Sequence, residues 1–245
     1  MEKDKITPKL EASDARQNTS TFLDLLLKSF YETGVYSEQD IRDEINTLVF
    51  AGSDTTAGTL TFLFLMVATF PEVQQQVYEE LYQMYGSSDP RNVPITLADI
   101  KKMKYLERVI KETLCLFPPA PILGRVLQKE MRVDENVVIP KDCSLLLIIF
   151  TLHRNDKYWK DPLTFNPDRF LPGNYDPKCF LPFSAGRRDC IGQTLAMIEM
   201  KEIIATLLRK FVVQIDNPVI VKDIDLKCIV TLKPAKPILF RFYKR

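Results

Sequence analysis

Histidine is almost absent: His153 is the single imidazole in 245 residues. That excludes zinc sites built on two or three histidines, the HExxH type among them. Neither sign of charge is in excess, with 33 Lys and Arg against 32 Asp and Glu and a net charge of +1. Nothing in that balance suggests a nucleic-acid partner or a polyanionic substrate. No CxxC pair occurs, and the five cysteines, Cys115, Cys143, Cys179, Cys190 and Cys228, are odd in number. A secreted disulfide framework is therefore not expected, and a reducing compartment fits better. The opening stretch, MEKDKITPKLEASDARQNTS, holds no apolar core of the signal-peptide kind. One long apolar tract is present, TLVFAGSDTTAGTLTFLFLMVATF at 47–70. It has the length of a membrane span. Asp54, several threonines and two glycines argue instead for a helix buried in a soluble core.

The pattern along the chain is helical first and mixed later. Residues 1–19 read as a flexible lead-in and 20–245 as one domain. Ser20 or Thr21 can cap a helix over FLDLLLKSFYE. Ser37 with Asp40 has capping-box form and opens a long helix at about 38–69. Pro71 starts the next helix and Gly86 stops it. Thr96 with Asp99 repeats the capping pattern for a helix running to about Leu116, ended by Pro118 and Pro119. ILGRVLQKE, MRVDENVVIP and SLLLIIF, between 122 and 150, read as short strands separated by turn residues. Residues 154–182 are rich in Pro, Asn and Asp and read as an irregular, packed loop. A last long helix follows Cys190, with Ala196, Met200, Ile203, Ile204, Leu207, Leu208 and Phe211 at helical spacing. The tail, DLKCIVTLKPAKPILFRFY, suggests two strands. Helices and strands do not alternate, so the expected class is mostly α with a small β sheet, not a doubly wound sheet.

The segment FSAGRRDCIGQ at 183–193 carries the chemistry. A thiolate is the useful form of cysteine as nucleophile or metal ligand. Unpaired N–H groups and the dipole at a helix N-terminus favour negative charge. Gly186 and Gly192 let the backbone approach a flat or bulky partner. Arg188 can meet a carboxylate, and Phe183 can cover one face. These parts make sense together for a partner that carries both a metal and carboxylates, as haem does. A thiol-based redox protein is the alternative, but Cys190 has no resolving cysteine near it in sequence.

FSAGRRDCIG resembles the cytochrome P450 haem-loop pattern F-x-x-G-x-R-x-C-x-G at each fixed position: Phe183, Gly186, Arg188, Cys190 and Gly192. AGSDTT at 51–56 resembles the oxygen-activation stretch of that family's long central helix, and FNPDRF at 165–170 its P-x-R-F segment. The resemblance covers nearly the whole chain. The wording of FLDLLL, FAGSDTT and CIGQTLAMIEMK is most similar to family-4 animal enzymes, insect ones in particular. The resemblance implies Cys190 as the axial thiolate of a haem b iron, whose electron donation favours O–O cleavage. It implies Arg188 as a propionate partner, Arg125 as a second, and Asp54 with Thr55 as an acid–alcohol pair relaying protons beside a turn loosened by Gly52. His153, in LHRND, reads as a structural histidine, with propionate contact the alternative. The implied activity is monooxygenation of a lipophilic substrate with O2 and electrons from NADPH through a reductase. The implied place is the cytoplasmic face of the endoplasmic reticulum membrane.

The chain also departs from the family. Where the family has Glu-x-x-Arg, KETLCLFPP has Glu112 followed by Cys115. The Glu112–Arg169 pair can survive that change, but cysteine cannot donate five hydrogen bonds as arginine does, so weaker haem retention is expected. Ala51 stands where many family-4 enzymes have a glutamate bonded covalently to haem, so the haem is expected to be extractable. The chain matches only the C-terminal half of such an enzyme. The anchor, part of the propionate site and most of the substrate pocket belong to the other half. A non-catalytic haem-binding remnant is therefore the competing function.

Overall fold

The computed structural model describes residues 20–245, so the lead-in expected at 1–19 lies outside them. The chain divides into two compact units at Phe50/Ala51. In the first, helix α1 spans Phe22–Thr33. Its start is a reciprocal cap: the Asp24 N–H donates to Thr21 Oγ1 at 3.2 Å and the Thr21 N–H donates to Asp24 Oδ2 at 2.8 Å. Gly34, at φ +63°, ends it in the left-handed conformation that glycine adopts without a steric penalty. Ser37 and Asp40 repeat the reciprocal cap and open α2, Glu38–Thr69, at the boundaries expected.

The second unit begins within α2 and continues with α3 (Pro71–Tyr85), α4 (Leu97–Ile100), α5 (Lys104–Leu116), β1 (Ile122–Val126), β2 (Met131–Arg132), β3 (Val138–Ile139), β4 (Ser144–Ile148), α6 (Ile149–Leu152), α7 (Gln193–Leu208), β5 (Phe211–Gln214), β6 (Leu226–Cys228), β7 (Leu232–Pro234) and β8 (Arg241–Lys244). Helix accounts for 47% of the described residues and strand for 12%, so the mostly-α reading holds. The β structure comes as four antiparallel two-stranded ladders, β1–β4, β2–β3, β5–β8 and β6–β7.

The core follows helical spacing. Val73, Val77 and Leu81 recur at i, i+4, i+8 on α3, and Met200, Ile204 and Leu208 do so on α7. They pack with Leu106, Val109 and Ile110 of α5 and with Phe62–Val67 of α2. Each such side chain contributes about 1.5–3 kcal/mol by leaving water. Helix α2 is long and apolar enough to cross a membrane by length and composition. Its residues Phe62, Leu63, Leu65, Met66 and Val67 are buried in this protein core. Gln74, buried among them, satisfies both edges of a strand residue. Its amide nitrogen donates to the Val213 carbonyl at 2.9 Å, and its oxygen accepts from the Val213 N–H at 2.8 Å.

Four sequence expectations are corrected. The helix expected from Thr96 to Leu116 is two helices, because the backbone turns at Met103 and α5 starts afresh. Its new N-terminus is held by a distant residue: Glu80 accepts from the Tyr105 N–H at 2.7 Å and the Leu106 N–H at 3.0 Å. The third strand stops at Ile148, and Ile149–Leu152 turn into α6. Phe211, counted with the last helix, starts β5, because α7 ends at Leu208. The tail forms three strands, since β5 supplies the partner that β8 needs.

Candidate cofactor-binding site

Cys190 lies on a tight loop three residues ahead of α7, and its thiol is exposed. The loop closes on itself. The Cys190 N–H donates to the Phe183 carbonyl at 2.9 Å and the Asp189 N–H to the Gly186 carbonyl at 3.1 Å. Gly186 turns the chain at φ +88°, and Ser184 joins it in the left-handed region at +65°. A side chain at 186 would strain that turn. Gly192 adjoins the sulfur: a Cβ there would lie in ordinary contact, 3.9 Å from Cys190 Sγ. Phe183 is partly buried and packs on the core, which fixes the loop's base.

Two of the expected propionate partners meet here. Arg125 of β1 donates to Ser184 Oγ at 2.8 Å and to the Arg188 carbonyl at 3.4 Å. Strand β1 is thereby tied across to the loop. The Arg188 side chain is exposed. Exposed apolar side chains follow the thiol along the chain, Ile191 at 89% and Leu195 at 59% exposure. Among the described residues no group of three or more His, Cys, Asp or Glu side chains converges on one point. Cys190 is thus a single-sulfur donor beside apolar surface and two arginines. That donor set fits a flat apolar macrocycle that brings its own metal ligands and carboxylates.

Asp54 and Thr55 stand on α2, away from that loop in sequence and each half-buried. The helix is unbroken at Gly52. The loosened turn expected there is instead a back-bond within a regular helix, from the Thr55 hydroxyl to the Ala51 carbonyl at 2.7 Å. A Cβ on Gly52 would meet nothing within 4 Å, so this helix face is open. The Asp54 carboxylate accepts from Lys233 Nζ and from the Thr231 hydroxyl, each at 2.5 Å. The Lys233 hydrogen bond, with Thr231 second, holds its carboxyl below the usual carboxylate range. Both partners sit at the β6–β7 hairpin, 177 and 179 residues along the chain. No local signal in the sequence marks either one. The hairpin runs close to α2 at Gly58, where a Cβ would lie in ordinary contact, 3.6 Å from the Leu232 carbonyl.

Two members of the expected charged cluster, Glu112 and Arg169, pair. Arg169 Nε donates to Glu112 Oε2 at 3.1 Å, and the Asn166 N–H donates to Oε1 at 2.9 Å. Other guanidinium N–H groups reach the carbonyls of Lys160, Asp161 and Thr164. Cys115 is buried beside Trp159 and Phe170. Burial pushes its thiol well above the usual range, so it stays neutral. The Trp159 indole N–H, buried in the same cluster, has no hydrogen-bond partner.

The model of the cytochrome P450 family matches residues 3–242. The chain belongs to the cytochrome P450 family. It is 42% identical over 204 residues to cytochrome P450 4V2 of Mus musculus, covering 82% of this chain and 38% of that protein. It is 39% identical over 202 residues to probable cytochrome P450 4d20 of Drosophila melanogaster, covering 81% of this chain and 39% of that protein. Against cytochrome P450 4V2 of Homo sapiens the identity is 36% over 238 residues, with 96% and 44% covered. The family-4 likeness therefore holds, with insect and mammalian relatives alike. The chain spans about two fifths of the length of these P450 relatives.

Proposed function

We propose that this chain carries the haem-thiolate part of a monooxygenase that inserts one oxygen atom of O2 into a lipophilic substrate. Cys190 would hold haem b through its thiolate, and Phe183, Gly186 and Gly192 shape the loop around that sulfur. Arg188 and Arg125 would hold its propionates. The haem supplies oxygen activation when bound; the thiolate's electron donation tunes it. Asp54 and Thr55 of α2 hold and pass protons, with the Asp54 carboxylate oriented by Lys233 and Thr231. Electrons come from NADPH through a reductase. A cavity of about 510 Å3 beside the loop, lined by Phe183, Met197, Lys101 and Lys104 among others, offers this partner a basic surface. The proposed place is the cytoplasmic face of the endoplasmic reticulum membrane.

One observation carries the reading: an exposed thiol on a glycine-turned loop that an arginine from a separate strand ties down. With haem supplied, the reduced protein under carbon monoxide should show the absorption band of thiolate ligation. Cys190→Ser should abolish the band; its survival in that variant would sink the reading.

A second reading, haem binding without turnover, is favoured by Cys115. The family's arginine is replaced there by a neutral thiol, beside an indole N–H left unpaired. On this reading Cys115→Arg raises the haem-to-protein ratio, and an unchanged ratio speaks against it.

A further inference from the structure

His153 is fully buried, and its ring bridges two segments. Nε2 accepts from the Leu181 backbone N–H at 3.0 Å. An N–H donor at Nε2 leaves that nitrogen bare, so the proton of the neutral ring is on Nδ1. Nδ1 in turn lies 3.1 Å from the Cys115 carbonyl, an acceptor, and donates to it. One ring thus joins the last turn of α5, at the residue where this chain departs from its family, to Leu181, two residues ahead of Phe183. Phe183 is where the Cys190 loop closes. The ring is also clamped from the sides. It stacks on Phe180 at 5.6 Å between centroids and meets Trp159 edge-on at 5.9 Å.

We propose that His153, as the neutral Nδ1–H tautomer, is a positioning residue that sets the base of the Cys190 loop against the end of α5. The importance of that loop for haem rests on the function proposed above; the pinning itself does not. A proton on Nε2 would set two donors against each other and release Leu181. The groups around the ring oppose that proton. Arg154, the next residue, caps the Leu116 carbonyl with its own positive charge, and Arg169, paired with Glu112, is a second nearby cation. The Cys115 thiol is neutral, and Tyr175 and Cys179 complete the cluster. Burial first, then Arg154, pushes the imidazole down to about 4.

The single histidine makes the test direct. In the full chain at pH 7, the 15N spectrum of the imidazole should show a protonated Nδ1 and a bare Nε2. The opposite tautomer, or an imidazolium, would overturn the assignment. Amide exchange supplies the second measurement. In His153→Phe the Leu181 amide should exchange about tenfold faster, while the Val213 amide, held by Gln74, is unchanged. Equal rates at Leu181 overturn the proposal. Should that variant not fold, wild-type protein answers the same question. Corrected for intrinsic rate, Leu181 protection is lost between pH 7 and 4, and persistence of full protection overturns the pin. Neither measurement needs haem. Failure to bind haem therefore defeats the function proposed above and leaves the pin standing. Haem uptake with an unpinned Leu181 defeats the pin alone.

Discussion

Glu112 and Arg169 show how a single replaced residue can leave a charged cluster standing. Arg169 spends its donors on one carboxylate and three backbone carbonyls, so it has no need of a second acidic partner. Glu112 takes a backbone N–H and a guanidinium, which leaves the pair neutral overall. Cysteine at 115 then adds no charge and only a weak S–H donor. Removing the carboxylate is a different matter, because it strands a buried cation. Glu112→Ala should cost about 3–5 kcal/mol in urea unfolding. A loss below 1 kcal/mol would mean that the carbonyls alone satisfy Arg169.

Helix α5 shows the same logic one level up. Its apolar face and its end at the proline pair are local facts. Its beginning is not, since the first N–H groups are satisfied by Glu80 of α3. Glu80→Ala should cost about 1–2 kcal/mol and lower Tm by about 2–8 °C. A calorimetric scan with Tm unchanged would assign the start of α5 to packing alone. At the other end, His153 and Arg154 take the Cys115 and Leu116 carbonyls, so α5 is capped at both termini by side chains far from it in sequence.

For the molecule as a whole, two buried groups set opposed pH dependences. His153 has its pKa lowered to about 4, so between pH 6.5 and 4 the unfolded chain binds more protons than the folded one. Its contribution is present above 6.5 and lost as pH falls to 4. Glu112, pushed up by burial to about 7 against the pull of Arg169, acts the other way, and its contribution is lost as pH rises from 4.5 to 7. His153→Gln removes one of them. Relative to this variant, wild type should lose about 3 kcal/mol between pH 6.5 and 4. Parallel stability curves for the two proteins, measured by urea unfolding, would refute a neutral buried His153.

The helix starts at Ser20 or Thr21, at Ser37 and at Thr96 were legible in the sequence, because a cap and its partner lie three residues apart, and the start at Pro71 because its ring fixes the first helical φ. The loop around Cys190 was legible for the same reason: its glycines, arginine and thiol sit within one turn's reach. What the sequence left open were pairings across long stretches of chain. Lys233 and Thr231 on Asp54, Glu80 under α5, and Leu181 on His153 each depend on where packed helices place a distant backbone or charge. Periodicity in the sequence determines which face of an element is buried. Only the assembled core decides which polar groups are buried together, and hence which proton the one histidine keeps.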